Sequence, residues 1–233
     1  MSDRQPAPVY KHHLVFVDVV GHTSAKHVVF GAFLLPWERR GDFSRRVTAF
    51  VPRGAALAKP AEPDARLEAL VDDVFQMRWL SFRAIVCPVG PPAEMLRLAA
   101  LDQLLRPLIE RRRSDDPSTT WKLRVAEHVR GLTEALGREV ESIELRIARY
   151  PLGLDLAHLF TTAVAWGWDK SEGSAAVHQV GERIAKNLGW SDLAAVTPPE
   201  EWKVNVAYVD DPTRSLEPKS MPRSVQLRLP LLD

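Results

Sequence analysis

From Leu14 to Leu35 the chain reads LVFVDVVGHTSAKHVVFGAFLL, an apolar run broken by one carboxylate, Asp18, then by the turn-forming segment Gly21-His22-Thr23-Ser24 before a second apolar run from Val28. Two such runs around a short polar break predict a β-hairpin at the centre of a sheet. Pro36-Trp37 ends the second strand, and Glu38 to Asp42 reads as a solvated turn. The β-branched and aromatic residues from Arg46 to Val51 predict a third strand, which Pro52 stops. Arg53 to Pro63, rich in Ala, Pro and Gly, predicts an exposed loop. Asp64 stands where a helix N-cap belongs, ahead of Leu67, Leu70, Val71, Val74 and Phe75 at helical spacing, with Arg66, Glu68 and Asp72 on the wet face.

Phe82 to Val89 is a short apolar run ended by Pro and Gly, which predicts a strand buried on both faces. A long amphipathic helix is predicted from Ala93 to Arg113, kinked at Pro107, with Arg111-Arg112-Arg113 at the negative end of its dipole. Trp121 to Leu136 is predicted as a further helix ending at Gly137. Val140 to Arg149 alternates as a strand does, and Leu154 to Trp168 is the most apolar helix of the chain, one that must be buried nearly all round. At ~100° per residue its Asp155, His158, Thr162 and Asp169 fall within about 60° of one another, forming one polar stripe. A polar helix follows from Ser174 to Asn187, with Gly189 after it, and Trp202 to Val209 reads as a late strand. Residues 1–11 are expected to form a loose arm, residues 12–209 a single α/β domain, and residues 210–233 a tail with an apolar segment, Val225 to Leu232.

Composition narrows the class. A chain of 233 residues, 45% hydrophobic, can bury one sizeable core, and its net charge of +1 carries no global polyanion signal, so any nucleic-acid surface has to be local. One cysteine, Cys87, excludes an internal disulfide, and the opening MSDRQPAPVY lacks the apolar core of a secretory signal, so a cytoplasmic protein with no membrane partner is expected.

The lone acid in a buried strand needs a partner, because burying an unpaired carboxylate costs several kcal/mol. The hairpin resembles the start of the domain-of-unknown-function 3800 family, whose first strand ends in Asp-Glu-Ser-Gly before a Gly-Gly-containing second strand; here the matching stretches are Asp18-Val19-Val20-Gly21 and Phe30-Gly31-Ala32-Phe33. The family's late Leu-Gln-Leu-Ala-Asp helix start is matched by Leu154-Asp155-Leu156-Ala157-His158. The resemblance spans about residues 13 to 168 and implies a ribonuclease-H-like α/β fold, a mixed sheet flanked by helices. The order of three strands, a helix, a strand, one or two helices, a strand and a buried helix agrees with it.

Nucleases of that type, as the resemblance implies, gather several carboxylates around two divalent cations, magnesium or manganese, to stabilise the attacking and leaving oxygens of a phosphodiester. Asp18 matches the first acid. Val19 and Val20 depart from the pattern, the end of the predicted fourth strand reads Cys87-Pro88, and His158 replaces the helix acid with Asp155 one turn away. The catalytic and metal-ligating candidates are therefore Asp18, Asp155 and His158. Two readings stand side by side: one cation in a mixed nitrogen and oxygen shell, or a plain structural role in which Asp155 accepts from His158 or helix amides and Asp18 is held by strand-end amides. His12, His13, His22 and His27 bracket the hairpin and read as surface imidazoles without ligand spacing, and Cys87 reads as a small core residue. Trp166 and Trp168 read as core. Trp37, Arg39 and Arg40, with Trp121, Lys122 and Arg124, are the candidates for a nucleic-acid-binding surface.

At the C-terminus, Gln226-Leu227-Arg228-Leu229-Pro230-Leu231 resembles the hexapeptide by which bacterial replication and repair proteins dock on the sliding clamp, which makes Gln226, Leu227, Leu229 and Leu231 candidate partner contacts; the alternative is an added edge strand. Together these features lead to a nucleic-acid-associated, ribonuclease-H-like protein with a degraded catalytic site, a pseudoenzyme acting as a binding subunit of a larger assembly in bacterial defence or DNA repair. The alternatives are an active metal-dependent nuclease and a pure protein–protein interaction subunit.

Overall fold

The computed structural model describes residues 10–21, 25–51, 57, 62–89, 99–100, 103–105, 120–125, 143–147, 152–170, 173–198 and 201–208, and the side chains of Trp121, Leu123, Val125 and residues 143–147 lie outside that description. In chain order the elements are β1 (His12–Val20), β2 (His27–Pro36), a 3-10 turn (Trp37–Arg39), α1 (Arg40–Thr48), α2 (Ala65–Gln76), β3 (Ser81–Pro88), β4 (Thr120–Val125), β5 (Ile143–Ile147), α3 (Leu152–Asp169), α4 (Ala175–Leu188) and β6 (Val204–Tyr208). The strands form one mixed sheet in the order β5-β4-β1-β2-β3-β6. β1, β2 and β3 run antiparallel in sequence, β4 lies parallel to β1, β5 parallel to β4 and β6 parallel to β3. The predicted hairpin is therefore central, as its apolar runs require.

Period-2 alternation divides the sheet into two buried faces. Leu14 and Phe16 of β1, Val29, Phe33 and Leu35 of β2, and Phe82, Ala84 and Val86 of β3 share a core with α3. The intervening Val15, Val17, Phe30, Ala32, Leu34, Ile85 and Cys87 are equally buried, as are Ala100, Leu104 and Leu105. Continuous apolar runs are what two covered faces demand. Phe33, Phe82 and Phe160 meet with ring centroids 4.9 to 5.5 Å apart, and burying each such ring contributes roughly 1.5–3 kcal/mol.

Small residues set how closely α3 lies on the hairpin. A Cβ on Gly31 would stand 1.9 Å from Thr161 Oγ1, and one on Gly153 would stand 2.4 Å from the Phe16 ring. Helix α4 packs on α3 and α2. Ser174 caps it by accepting from the Val177 amide, and Gly189 ends it at φ 74°, a left-handed position that suits glycine. Asp64 caps α2, accepting from the Arg66 amide at 2.8 Å. At the other end of α2, the buried Lys203 ammonium group donates to the Met77 and Leu80 carbonyls at 2.8 and 2.6 Å. Among the described residues no helix is long and apolar enough to cross a membrane.

Two predicted elements are corrected. The strand expected over 46–51 is instead the end of α1, to Thr48, and the turn that follows it: Phe43 and Val47, four residues apart, are buried while Arg45 and Thr48 are exposed, so the helical apolar pair outweighs β-branched propensity. The helix expected from Trp121 begins as β4 instead. Thr120-Trp121-Lys122-Leu123-Arg124-Val125 alternates polar and apolar residues, and pairing with β1 supplies the ladder that period 2 calls for. The remainder of that predicted helix, most of the Ala93–Arg113 helix with its Pro107 kink, Gly137, and both termini as far as residue 9 and from residue 209 lie outside the described residues.

Candidate functional site

Asp18 sits on the α3 side of β1, two residues beyond Phe16, with its side chain 3% exposed. Its register partner on the neighbouring strand β2 is Gly31. Across the gap, His158 of α3 places Nδ1 2.7 Å from Asp18 Oδ2. The imidazole is 30% exposed.

Asp155 lies one turn earlier on α3 and is half-buried. Burial pushes its carboxyl above the ordinary carboxylate value, and the nearby His158 partly offsets the rise. Thr162 turns back to donate to the His158 carbonyl at 2.7 Å. The expected stripe is thus present, but His158 bonds Asp18, whereas the simple structural reading gave it to Asp155. Among the described residues no three His, Cys, Asp or Glu side chains gather in a group that could hold a metal ion.

The far end of the same stripe makes a second His–carboxylate bridge. His27, the first residue of β2, brings Nδ1 to 2.6 Å from Asp169 Oδ1 and its backbone amide to 3.2 Å from Oδ2. Its ring lies edge-on to Trp168 and Tyr208, which stack on each other with centroids 4.8 Å apart. Sequence reasoning placed Asp169 on the stripe and His27 near the hairpin without joining them. The signal was an acid at the end of an apolar helix, where the dipole disfavours it without a cation or donor nearby. The other hairpin histidines go elsewhere: His12 Nδ1 is 2.7 Å from Thr120 Oγ1, His13 is buried, and His22 lies outside the described residues. Burial pushes the Cys87 thiol up to about 12, so it is a core residue with no thiolate at neutral pH.

The basic candidates come from stretches more than eighty residues apart, and the fold brings them together. Lys122 Nζ lies 4.2 Å and Arg40 Cζ 4.4 Å from the centroid of the Trp37 ring, and Arg40 Nη1 also donates to the Trp37 carbonyl at 3.0 Å. Arg39 turns away to Tyr10 and Asp42. Arg124 stands in register with Phe16, as Lys122 does with Leu14. The Trp37 cluster is therefore about 13 Å along β1 from the level of Asp18, four residues at ~3.3 Å each. Trp121 shares β4, but its side chain lies outside the described residues, as do Gln226, Leu227, Leu229 and Leu231.

The two corrected elements also change which residues end the fourth strand, the place at which the resemblance led an acid to be expected. Cys87-Pro88 ends the third strand, β3. The fourth strand is β4, which runs beside β1, and the first acid beyond it in the sequence is Glu127, outside the described residues.

No family model matches the chain, and no curated protein matches it. Among solved structures it is similar to a crystal structure of a mutant protein of Bst-RNase HIII, at 13% identity and a TM-score of 0.38, over 83% of this chain and 70% of that one.

Proposed function

We propose that the chain is a nucleic-acid-associated protein with a ribonuclease-H-like fold, a divergent relative of the domain-of-unknown-function 3800 family, that acts by binding within a larger assembly. The observation that carries this reading is the meeting of Trp37, Arg40 and Lys122. Two cations over one indole form a fixed, positively charged surface on a chain whose net charge is only +1. The sheet supports the fold assignment: three antiparallel strands, then two further strands parallel to the first, with a buried helix across the hairpin.

The described donors do not fit a pair of divalent cations. Among the described residues, Asp18 is engaged by an imidazole nitrogen, and no three His, Cys, Asp or Glu side chains gather in a group that could hold a metal ion. A binding role follows more directly than hydrolysis. Filter binding of single-stranded, duplex and hybrid substrates at two salt concentrations tests it. Affinity that falls steeply with salt is the expected result, and no binding to any of them sinks the proposal in favour of a protein–protein subunit.

One observation favours the second reading, an active magnesium- or manganese-dependent nuclease. Because β4 is the strand next to β1, Glu127 rather than Cys87 is the residue to weigh as a further acid. Cleavage of any of these substrates with either metal, lost in both Asp18→Asn and Glu127→Gln, would establish that reading. The proposal extends to the tail: a chain truncated before Val225 is expected to lose capture by a sliding clamp with no loss of stability, the reverse of what an added strand would give.

A further inference from the structure

A cavity of about 430 Å³ is lined by Arg39, Asp42, Arg45, Arg46 and Trp79. Of its lining residues, only Arg39 is a sequence candidate for nucleic-acid binding. We propose that this cavity is a phosphate subsite, in which the arginines take the phosphate of a nucleotide and Trp79 takes its base. The inference rests on the nucleic-acid reading for the source of that phosphate: a strand terminus, or a free nucleoside monophosphate.

Charge is the first reason. Three guanidinium groups face one carboxylate within the lining. Asp42 accepts from Arg39 on Oδ2 and from Arg45 on Oδ1, so a single negative charge is divided between two cations. Arg46 is turned to Asp73, which it holds through Nε and Nη2. Each guanidinium carries five N–H donors, so the two carboxylates occupy a minority of those available. A tetrahedral oxyanion with several acceptor oxygens is the ligand such a surplus of planar, forked donors matches.

Pre-organisation is the second. The Asp73 contact fixes Arg46, and Asp42 together with the Tyr10 hydroxyl, 3.4 Å from Nε, fixes Arg39. Arg45, 76% exposed, is the one that can swing onto an incoming anion. Trp79 packs against the hydrophobic core and so offers a fixed aromatic surface beside the arginines. That combination favours a nucleotide over a bare anion, since stacking on an indole is open to every base. The volume lies within the range of about 300–1,000 Å³ usual for small-ligand sites. Arg39 lines the cavity and is adjacent in sequence to Arg40 of the Trp37 cluster, so a strand bound on that cluster has a route for its end to this subsite.

The test uses short single-stranded oligonucleotides with an internal fluorophore, carrying a 5′-phosphate, a 3′-phosphate or neither, with binding followed by anisotropy. One phosphorylated strand is expected to bind about tenfold tighter than the unphosphorylated one. Arg45→Gln should remove that preference while changing the affinity of the unphosphorylated strand by less than about threefold, since Arg45 lies on the surface and its loss does not disturb the core. A nucleoside monophosphate is expected to compete for the phosphorylated strand better than inorganic phosphate. Equal competition by the two would overturn the contact with Trp79. Equal affinity of the wild type for all three strands would overturn the subsite and leave nucleic-acid binding intact. Failure to bind any strand, together with no quenching of tryptophan fluorescence by the nucleoside monophosphate, would overturn both.

Discussion

His158 reaches across 140 residues of sequence to place Nδ1 2.7 Å from the carboxylate of Asp18, and this contact ties the buried helix to the central strand. It answers the demand that a lone acid in an apolar strand creates. The bridge is lopsided, however: the carboxylate is 3% exposed and the imidazole 30%. Either substitution changes the hydrogen bonding of the buried Asp18 position, while the imidazole keeps access to water.

The pair should therefore be energetically coupled. Asp18→Asn is expected to cost about 1–3 kcal/mol in urea unfolding, His158→Ala a similar amount, and the double variant less than the sum of the two by about 1 kcal/mol or more. Strictly additive losses would mean that the contact contributes no energy of its own.

Gly31 gives a second, steric test of how α3 is seated. Its absent Cβ is what lets Thr161 Oγ1 lie against β2, so Gly31→Ala forces the helix outward or drives a side chain off its rotamer, at about 1–3 kcal/mol or more. Shortening the opposing residue should relieve part of the strain: Gly31→Ala with Thr161→Ala is expected to be more stable than Gly31→Ala alone. The Phe82 ring, 3.0 Å from the same point, keeps the rescue partial. Thermal unfolding of the three variants checks the order, and a double variant no more stable than the single would show that the helix is not seated on this contact.

What could be read in the sequence followed from patterns with one dominant period. Asp64 as a cap, Gly189 after a helix and the apolar runs of the hairpin each carry a local physical signal, and each stands where that signal placed it. The polar stripe of α3 was equally legible because 100° per residue fixes it without tertiary knowledge. Two stretches misled because two periods competed in them. Arg46 to Val51 holds residues with β propensity, yet Phe43 and Val47 set a helical register just upstream. Trp121 to Val125 alternates over only five residues, and a helix drawn through the longer segment absorbed it. The first error made Ser81–Pro88 the fourth strand instead of the third, the second hid the true fourth strand, and together they moved the position at which an acid was sought. The pairing of His27 with Asp169 depended on where β2 begins relative to the end of α3, which no local pattern encodes.

Lys203 makes stability depend on pH in a defined window. Burial pushes its amine down to about 7 from an ordinary value of 10.5. Between those values the unfolded chain holds a proton that the folded chain lacks, so the contribution of this group to stability rises with pH, by no more than ~1.4 kcal/mol per unit. Below pH 7 both states are protonated, and the fold must keep a charged amine buried. Lys203→Met removes the slope but also leaves the Met77 and Leu80 carbonyls without their donor, a cost of about 1–3 kcal/mol for each that stays buried and unbonded. Urea unfolding of both proteins at pH 6 and pH 9 is expected to show the variant further below the wild type at pH 9. Curves that keep a constant separation would mean that Lys203 titrates normally in the folded chain.

The cluster at Trp37 separates the energy of holding cations in place from the energy of the charges themselves. Lys122→Ala removes one charge and should lower the slope of log affinity against log salt by about one unit for single-stranded or duplex substrates alike. Trp37→Leu removes no charge. It takes away the ring over which Lys122 and Arg40 lie, so both side chains regain rotamer freedom that binding must then remove again. Its affinity should fall severalfold while the salt slope stays within error of the wild type. If Trp37 instead stacked on bases with a freely exposed face, Trp37→Leu would weaken binding to single strands far more than to duplexes, in which the bases are already stacked. Titrating single-stranded and duplex substrates against the two variants at three salt concentrations distinguishes a scaffold for cations from a stacking platform. Equal loss on both substrates with an unchanged slope is the outcome expected of a ring already covered by Lys122 and Arg40.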